Sequence, residues 1–120
     1  MYKRQVVDDD ECVRESLPDS LRELGYAAEA FSSAKEFLAS DCLGTTRCLI
    51  LDVAMPGMSG IELQQELKLR RKEIPILFIT ARRDANIRPR VLEQGAAELL
   101  FKPFSDTALL EAPNTARRVN

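Results

Sequence analysis

Four places in this 120-residue chain carry side chains that could do chemistry together, and each follows a short apolar run. Asp8, Asp9 and Asp10 come after Val6–Val7. Asp52 comes after 48–51, Thr80 after 74–79, and Lys102–Pro103 after 99–101. Carboxylates crowded at one point repel each other and raise their own pKa values. A hard divalent cation with oxygen ligands removes that penalty, and Mg²⁺ held by one or two carboxylates with phosphate oxygens and water suits the donor set. An ionised carboxylate beside such a cation can attack phosphorus and form an acyl phosphate. That transfer depends on positioning and charge neutralisation, for which a lysine ammonium and a threonine hydroxyl are fitting donors. The set is chemically complete for an aspartyl-phosphate site, provided the four ends converge.

The chain contains no histidine, which excludes Ser/His/Asp and Cys/His nucleophile systems, His zinc ligands and a phosphohistidine carrier. Cys12, Cys42 and Cys48 are odd in number with no C-x-x-C spacing, and read as reduced thiols of a cytoplasmic protein. A net charge of −2 gives no basic field for nucleic acid. No apolar run approaches the roughly 20 residues that span a bilayer. Met1–Gln5 is charged and lacks a signal-peptide core behind it, so neither membrane insertion nor secretion is expected.

Positioning the four ends requires alternating strands and helices. Val13, Leu17, Leu21 and Leu24 recur at helical spacing and stop at Gly25. Residues 26–31 form a weak strand suited to a sheet edge. Ser33-x-x-Glu36 and Ser59-x-x-Glu62 are capping boxes that open helices through Phe37–Leu38 and Leu63–Leu67. Asp10 is placed to cap the first helix, Asp84 a fourth containing Val91 and Leu92, and Ser105 a last one through Leu109–Leu110. Five βα units with continuous apolar strands predict one domain, residues 1–120, with a parallel sheet covered on both faces. Ligands of such sheets bind beyond the carboxyl ends of the strands.

Taken together, Val-Val-Asp-Asp-Asp-Glu at 6–11, Leu-Asp-Val-Ala-Met-Pro-Gly-Met-Ser-Gly at 51–60, Ile-Thr-Ala at 79–81 and Phe-Lys-Pro-Phe at 101–104 resemble the receiver domain of two-component response regulators. The wording around 55–62 and 102–104 is similar to the branch that usually carries a C-terminal helix-turn-helix DNA-binding domain. The resemblance implies a flavodoxin-like α/β fold, a doubly wound five-stranded parallel sheet of order 2-1-3-4-5 with helices on both faces. It implies Asp52 as phosphoacceptor. Asp8 and Asp9, with Asp52 and the backbone carbonyl of Ala54, would hold Mg²⁺. Thr80 and Lys102 would bond the phosphoryl oxygens, with Lys102–Pro103 a cis peptide. It further implies a sensor histidine kinase as phosphodonor, no turnover of an external substrate, a homodimer through the fourth helix and fifth strand, and DNA binding only through an effector domain absent from this chain. Residues 117–120 read either as the start of a linker or as the end of a single-domain regulator.

The chain departs from that family in two respects. Leu99 stands where receivers usually have Tyr or Phe, so the usual aromatic rotation is absent. Pro18, Pro89 and Pro113 fall inside predicted helices, where an interior proline costs about 3 kcal/mol and kinks or breaks the helix; the fourth helix could instead begin near Pro89. Met55 and Met58 read as loop packing, and Arg70–Arg71–Lys72 as a solvated helix end. Arg82 and Arg83 follow Thr80 beside the site. Three alternatives compete. One is a receiver-like interaction module that is never phosphorylated. Another is an Asp-nucleophile phosphatase, disfavoured because Val53–Ala54 lacks the second Asp of D-x-D. The third is a nucleotide-binding flavodoxin-like protein, disfavoured by the absence of a glycine-rich loop after the first strand.

Overall fold

The computed structural model describes residues 3–81, 84 and 86–102, with the side chains of Lys3 and Cys42 outside the description. Five parallel strands, β1 (Lys3–Val7), β2 (Ala27–Phe31), β3 (Cys48–Asp52), β4 (Ile76–Thr80) and β5 (Glu98–Phe101), lie in the order β2-β1-β3-β4-β5. Between them run α1 (Glu11–Glu23), α2 (Ala34–Ala39), α3 (Gly60–Leu69) and α4 (Ile87–Glu93). The expected fold class is therefore found. The predicted last helix, Pro103, Pro113 and Arg82–Arg83 lie outside the described residues.

Strand alternation splits the core in two. Val6, Ile50, Leu77 and Ile79 face α1 through Leu17 and Leu21. Val7, Leu49, Leu51, Phe78 and Leu99 face α2, α3 and α4 through Phe37, Leu63, Leu67 and Val91. Each such leucine or phenylalanine, once buried, contributes about 1.5–3 kcal/mol. All five residues of β3 and of β4 are buried, as central strands covered on both faces require.

Several boundaries differ from the sequence expectation. β1 starts at Lys3, because the buried polar residues Arg4 and Gln5 join the ladder. Arg4 stacks 3.6 Å from the centroid of the Tyr26 ring, and Gln5 Oε1 accepts from the Glu29 amide at 3.0 Å. Tyr26 is not in β2. Its amide donates to Leu21 O while that of Gly25, at φ +95°, donates to Arg22 O, a Schellman closure of α1. β4 starts after Pro75, which has no amide to donate.

Pro18 does not break α1, which runs on to Glu23 with Pro18 buried. Pro89 is the third residue of α4, in the first turn, where amides have no intrahelical acceptor. Asp84 is not the N-cap of α4. Asn86 holds that place, and Asp84 Oδ1 accepts the Asn86 amide just outside the helix. The Ser59–Glu62 box is complete, whereas at α2 the reciprocal bond slips and Glu36 accepts from Ser32 rather than from Ser33. A 3-10 turn at Asp41–Gly44 had no periodic signal in the sequence.

Candidate functional site

The sheet reverses direction of growth between β1 and β3, and the crevice at such a switch point is where ligands of open α/β sheets bind. Pairing of Val7 with Leu51 makes Asp8 and Asp52 neighbours at that crevice, and pairing of Thr80 with Phe101 brings Lys102 to the same edge. The ladder continues just beyond the strands: Asp8 N bonds Phe31 O at 3.1 Å, Val53 N bonds Ile79 O at 3.0 Å, and Lys102 N bonds Thr80 O at 2.8 Å.

Carboxylate oxygens of Asp8, Asp9 and Asp52 all lie within 4.8 Å of one another, with Asp8 and Asp52 buried and Asp9 exposed. Lys102 Nζ reaches across the ends of β4 and β3 to donate to Asp8 Oδ2 at 2.8 Å. Its ammonium is therefore on the acidic pair, not on Asp52. Thr80 is buried at the end of β4, and Ala54 is exposed two residues past Asp52. Asp10 leaves the cluster and caps α1, its Oδ1 accepting the Cys12 amide at 2.9 Å, as expected.

Burial pushes the Asp52 carboxyl up to about 7. The Asp8 charge and hydrogen bonds with Asp8 and Asp9 add to the rise, and the Lys102 charge opposes it. For Lys102, burial acts to lower the pKa, but its hydrogen bond to Asp8 and the charges of Asp52, Asp8 and Asp10 outweigh burial and hold it above the ordinary ammonium value. The cluster is thus an all-oxygen donor set with excess negative charge, suited to a hard divalent cation.

Two contributors were not legible in the sequence. Arg14 lies one turn into α1 and donates from Nη1 to the Asp8 carbonyl at 3.1 Å, holding the β1–α1 loop. Gly60, the first residue of α3, donates its amide to Val53 O at 2.9 Å, and a Cβ there would lie 2.1 Å from the Asp52 carbonyl oxygen. A helix can approach the acidic strand end this closely only without a side chain. The glycine directly after the Ser59 cap was the available signal. Met55 is buried and Met58 packs against the core, as expected of loop packing.

The family profile described as "Response regulator receiver domain" matches residues 5–114. The chain belongs to the response regulator receiver family. Curated relatives of this receiver domain include Nodulation protein W of Bradyrhizobium diazoefficiens, 44% identical over 107 residues, covering 89% of this chain and 47% of that protein. Another is the transcriptional regulatory protein TdiR of Thauera aromatica, 40% identical over 115 residues, covering 96% and 51%. The solved structure of response regulator StyR superposes with a TM-score of 0.88 at 45% identity, covering 98% of this chain and 60% of that one. FixJ-N superposes at 0.87 with 36% identity, covering 98% and 94%. The receiver domain spans about half the length of the curated relatives it matches. Receiver domains are signalling modules of two-component regulators. Among the described residues no helix is long and apolar enough to cross a membrane.

Proposed function

We propose that this receiver domain accepts a phosphoryl group on Asp52 and transmits the event through a change of surface. The observation that carries the proposal is the convergence of the Asp8, Asp9 and Asp52 carboxylates within 4.8 Å, with the Lys102 ammonium against Asp8. An Asp52 oxygen attacks phosphorus, the bond from phosphorus to the donor's leaving group breaks, and the product is an acyl phosphate.

The residues fit Mg²⁺, because three carboxylates in a partly buried site lift the Asp52 pKa and a hard cation offsets that charge. Asp8, Asp9, Asp52 and the Ala54 carbonyl would hold it, and when bound it supplies neutralisation of phosphoryl charge. Lys102 is placed to turn from Asp8 to a phosphoryl oxygen, and Thr80 to bond another. Arg14 and Gly60 fix the two loops on which the carboxylates stand.

The phosphodonor is a sensor histidine kinase or a small phosphodonor, and the compartment is the cytoplasm. The added charge, roughly −2 by analogy with other phosphorylated side chains, shifts a two-state surface of α4 and β5. The output is homodimerisation or release of an attached effector. The relatives' names and doubled length support a transcription-regulating, DNA-binding effector outside residues 1–120. Incubation with acetyl phosphate and Mg²⁺ tests the proposal. A mass gain of one phosphoryl group that disappears in Asp52→Asn is the expected result. No gain in the wild type would favour the receiver-like interaction module instead.

A further inference from the structure

Gln64 is 2% exposed and lies one turn into α3. Its Nε2 donates at 3.3 Å to the carbonyl of Gln94, the C-cap of α4. Its Oε1 finds no donor among the described residues. Exchanging the two ends of the amide would set Oε1 against the Gln94 oxygen, so the observed orientation is the one that pairs. A buried acceptor without a partner carries a desolvation cost that an apolar side chain of the same volume would avoid. Such a group calls for an explanation beyond packing.

A second side chain of α3 addresses the same end of α4. A Cβ placed on Gly95, at φ +102°, would lie 3.7 Å from both Cε and Nζ of Lys68, which stands one turn beyond Gln64. A cation at a helix C-terminus is favourable. The other end of α3 lies on the acceptor, through Gly60 against the Asp52 carbonyl and through its bond to Val53 O. α3 is therefore one rigid element with Asp52 at its start and the tail of α4 on its flank. This connection bypasses Leu99, which is buried and has no ring to turn.

We propose that Gln64 is a positioning residue that couples α3 to the C-terminal end of α4, its unpaired Oε1 being the acceptor used when α4 shifts. The shifted state, but not the resting grip, rests on the phosphoacceptor reading of Asp52.

Hydrogen exchange separates the two. The amides of Gln94, Gly95 and Ala96 donate to Arg90, Leu92 and Val91 carbonyls in the resting structure. In Gln64→Leu, with Gln64→Met as the second variant should leucine not fold, exchange at these three amides rises about tenfold. Exchange in β3 and β4 stays at the wild-type rate. Acetyl phosphate with Mg²⁺ phosphorylates Asp52 in wild type and variant alike. Phosphorylation changes exchange at Gln94–Ala96 in the wild type and not in the variant. Unchanged resting exchange in the folded variants overturns the grip. A wild type that is phosphorylated without any response at these amides, or a variant that responds equally, overturns the coupling. A wild type that takes no phosphoryl group overturns the phosphoacceptor reading and the coupling that rests on it, while the resting comparison still judges the grip.

Discussion

Replacing Gly60 by alanine tests how closely α3 approaches the end of β3. The new Cβ would lie 2.1 Å from the Asp52 carbonyl oxygen and 3.1 Å from Phe78 Cε1. Relief to the shortest tolerable contact needs roughly 0.9 Å of movement, and to an ordinary one roughly 1.3 Å, between a helix start and a central strand, both fixed in a close-packed core. Overpacking of this kind costs about 1–3 kcal/mol, and the clash is with backbone, so the upper part of that range applies. Alanine's better helix propensity returns at most about 1 kcal/mol. The net loss is about 2 kcal/mol, or about 8 °C in Tm for a domain of this size. Because the displaced atom belongs to Asp52, the proposed acceptor also moves relative to Asp8 and Asp9. A misplacement near 1 Å can cost about a hundredfold in rate, so phosphorylation by acetyl phosphate slows by one to two orders of magnitude. Urea unfolding and intact-mass kinetics measure the two effects. Gly44→Ala is the control, since a Cβ there meets nothing within 4 Å and no left-handed φ is involved. A Gly60→Ala protein within about 0.5 kcal/mol of wild type, and phosphorylated at the wild-type rate, would refute the geometry.

In the metal-free fold Asp52 keeps its proton up to about pH 7, while in the unfolded chain it ionises near the ordinary carboxylate value of 3.8. The folded state therefore binds the extra proton across that window, and stability falls as pH rises through it, levelling off above about 7. Screening by water limits the fall to about 1–2 kcal/mol, and Asp52→Asn removes the slope in urea titrations with EDTA. Lys102→Ala leaves the fully buried Asp8 without its cation. It should cost about 2 kcal/mol, and added Mg²⁺ should raise its Tm by more than it raises that of the wild type. Arg71 closes α3 in the left-handed region at φ 57°. Arg71→Gly should stabilise the fold by about 0.5–1 kcal/mol, read as a higher urea midpoint with unchanged phosphorylation.

The apolar runs ending in polar residues announced which groups meet, because in a parallel sheet the strand ends are aligned by register, and register follows from which faces are buried. Val7–Asp8 beside Leu51–Asp52 is the case in point. Other features were hidden for separate physical reasons. Arg4 and Gln5 are buried strand residues, Arg4 stacked on the Tyr26 ring and Gln5 bonded to the Glu29 amide, so an apolar pattern cannot find them. Lys102 pairs with Asp8 across 94 positions, and no local spacing encodes that choice over Asp52. Gly60 matters through the close approach of another segment, of which its place directly after the Ser59 cap is only a local hint. Pro18 was expected to interrupt α1, but tertiary burial of its ring outweighs one missing amide donor.

The ion pair between Lys102 and Asp8 joins the last described strand to the first. A nascent chain emerging from the ribosome holds its acidic residues long before the ammonium that balances them is synthesised. Until β5 docks, the Asp8, Asp9 and Asp52 carboxylates repel one another without the Lys102 ammonium. Docking of β5 is therefore the step that brings a balancing ammonium to this crevice, and a product ending before residue 102 would leave the buried Asp8 carboxylate without it.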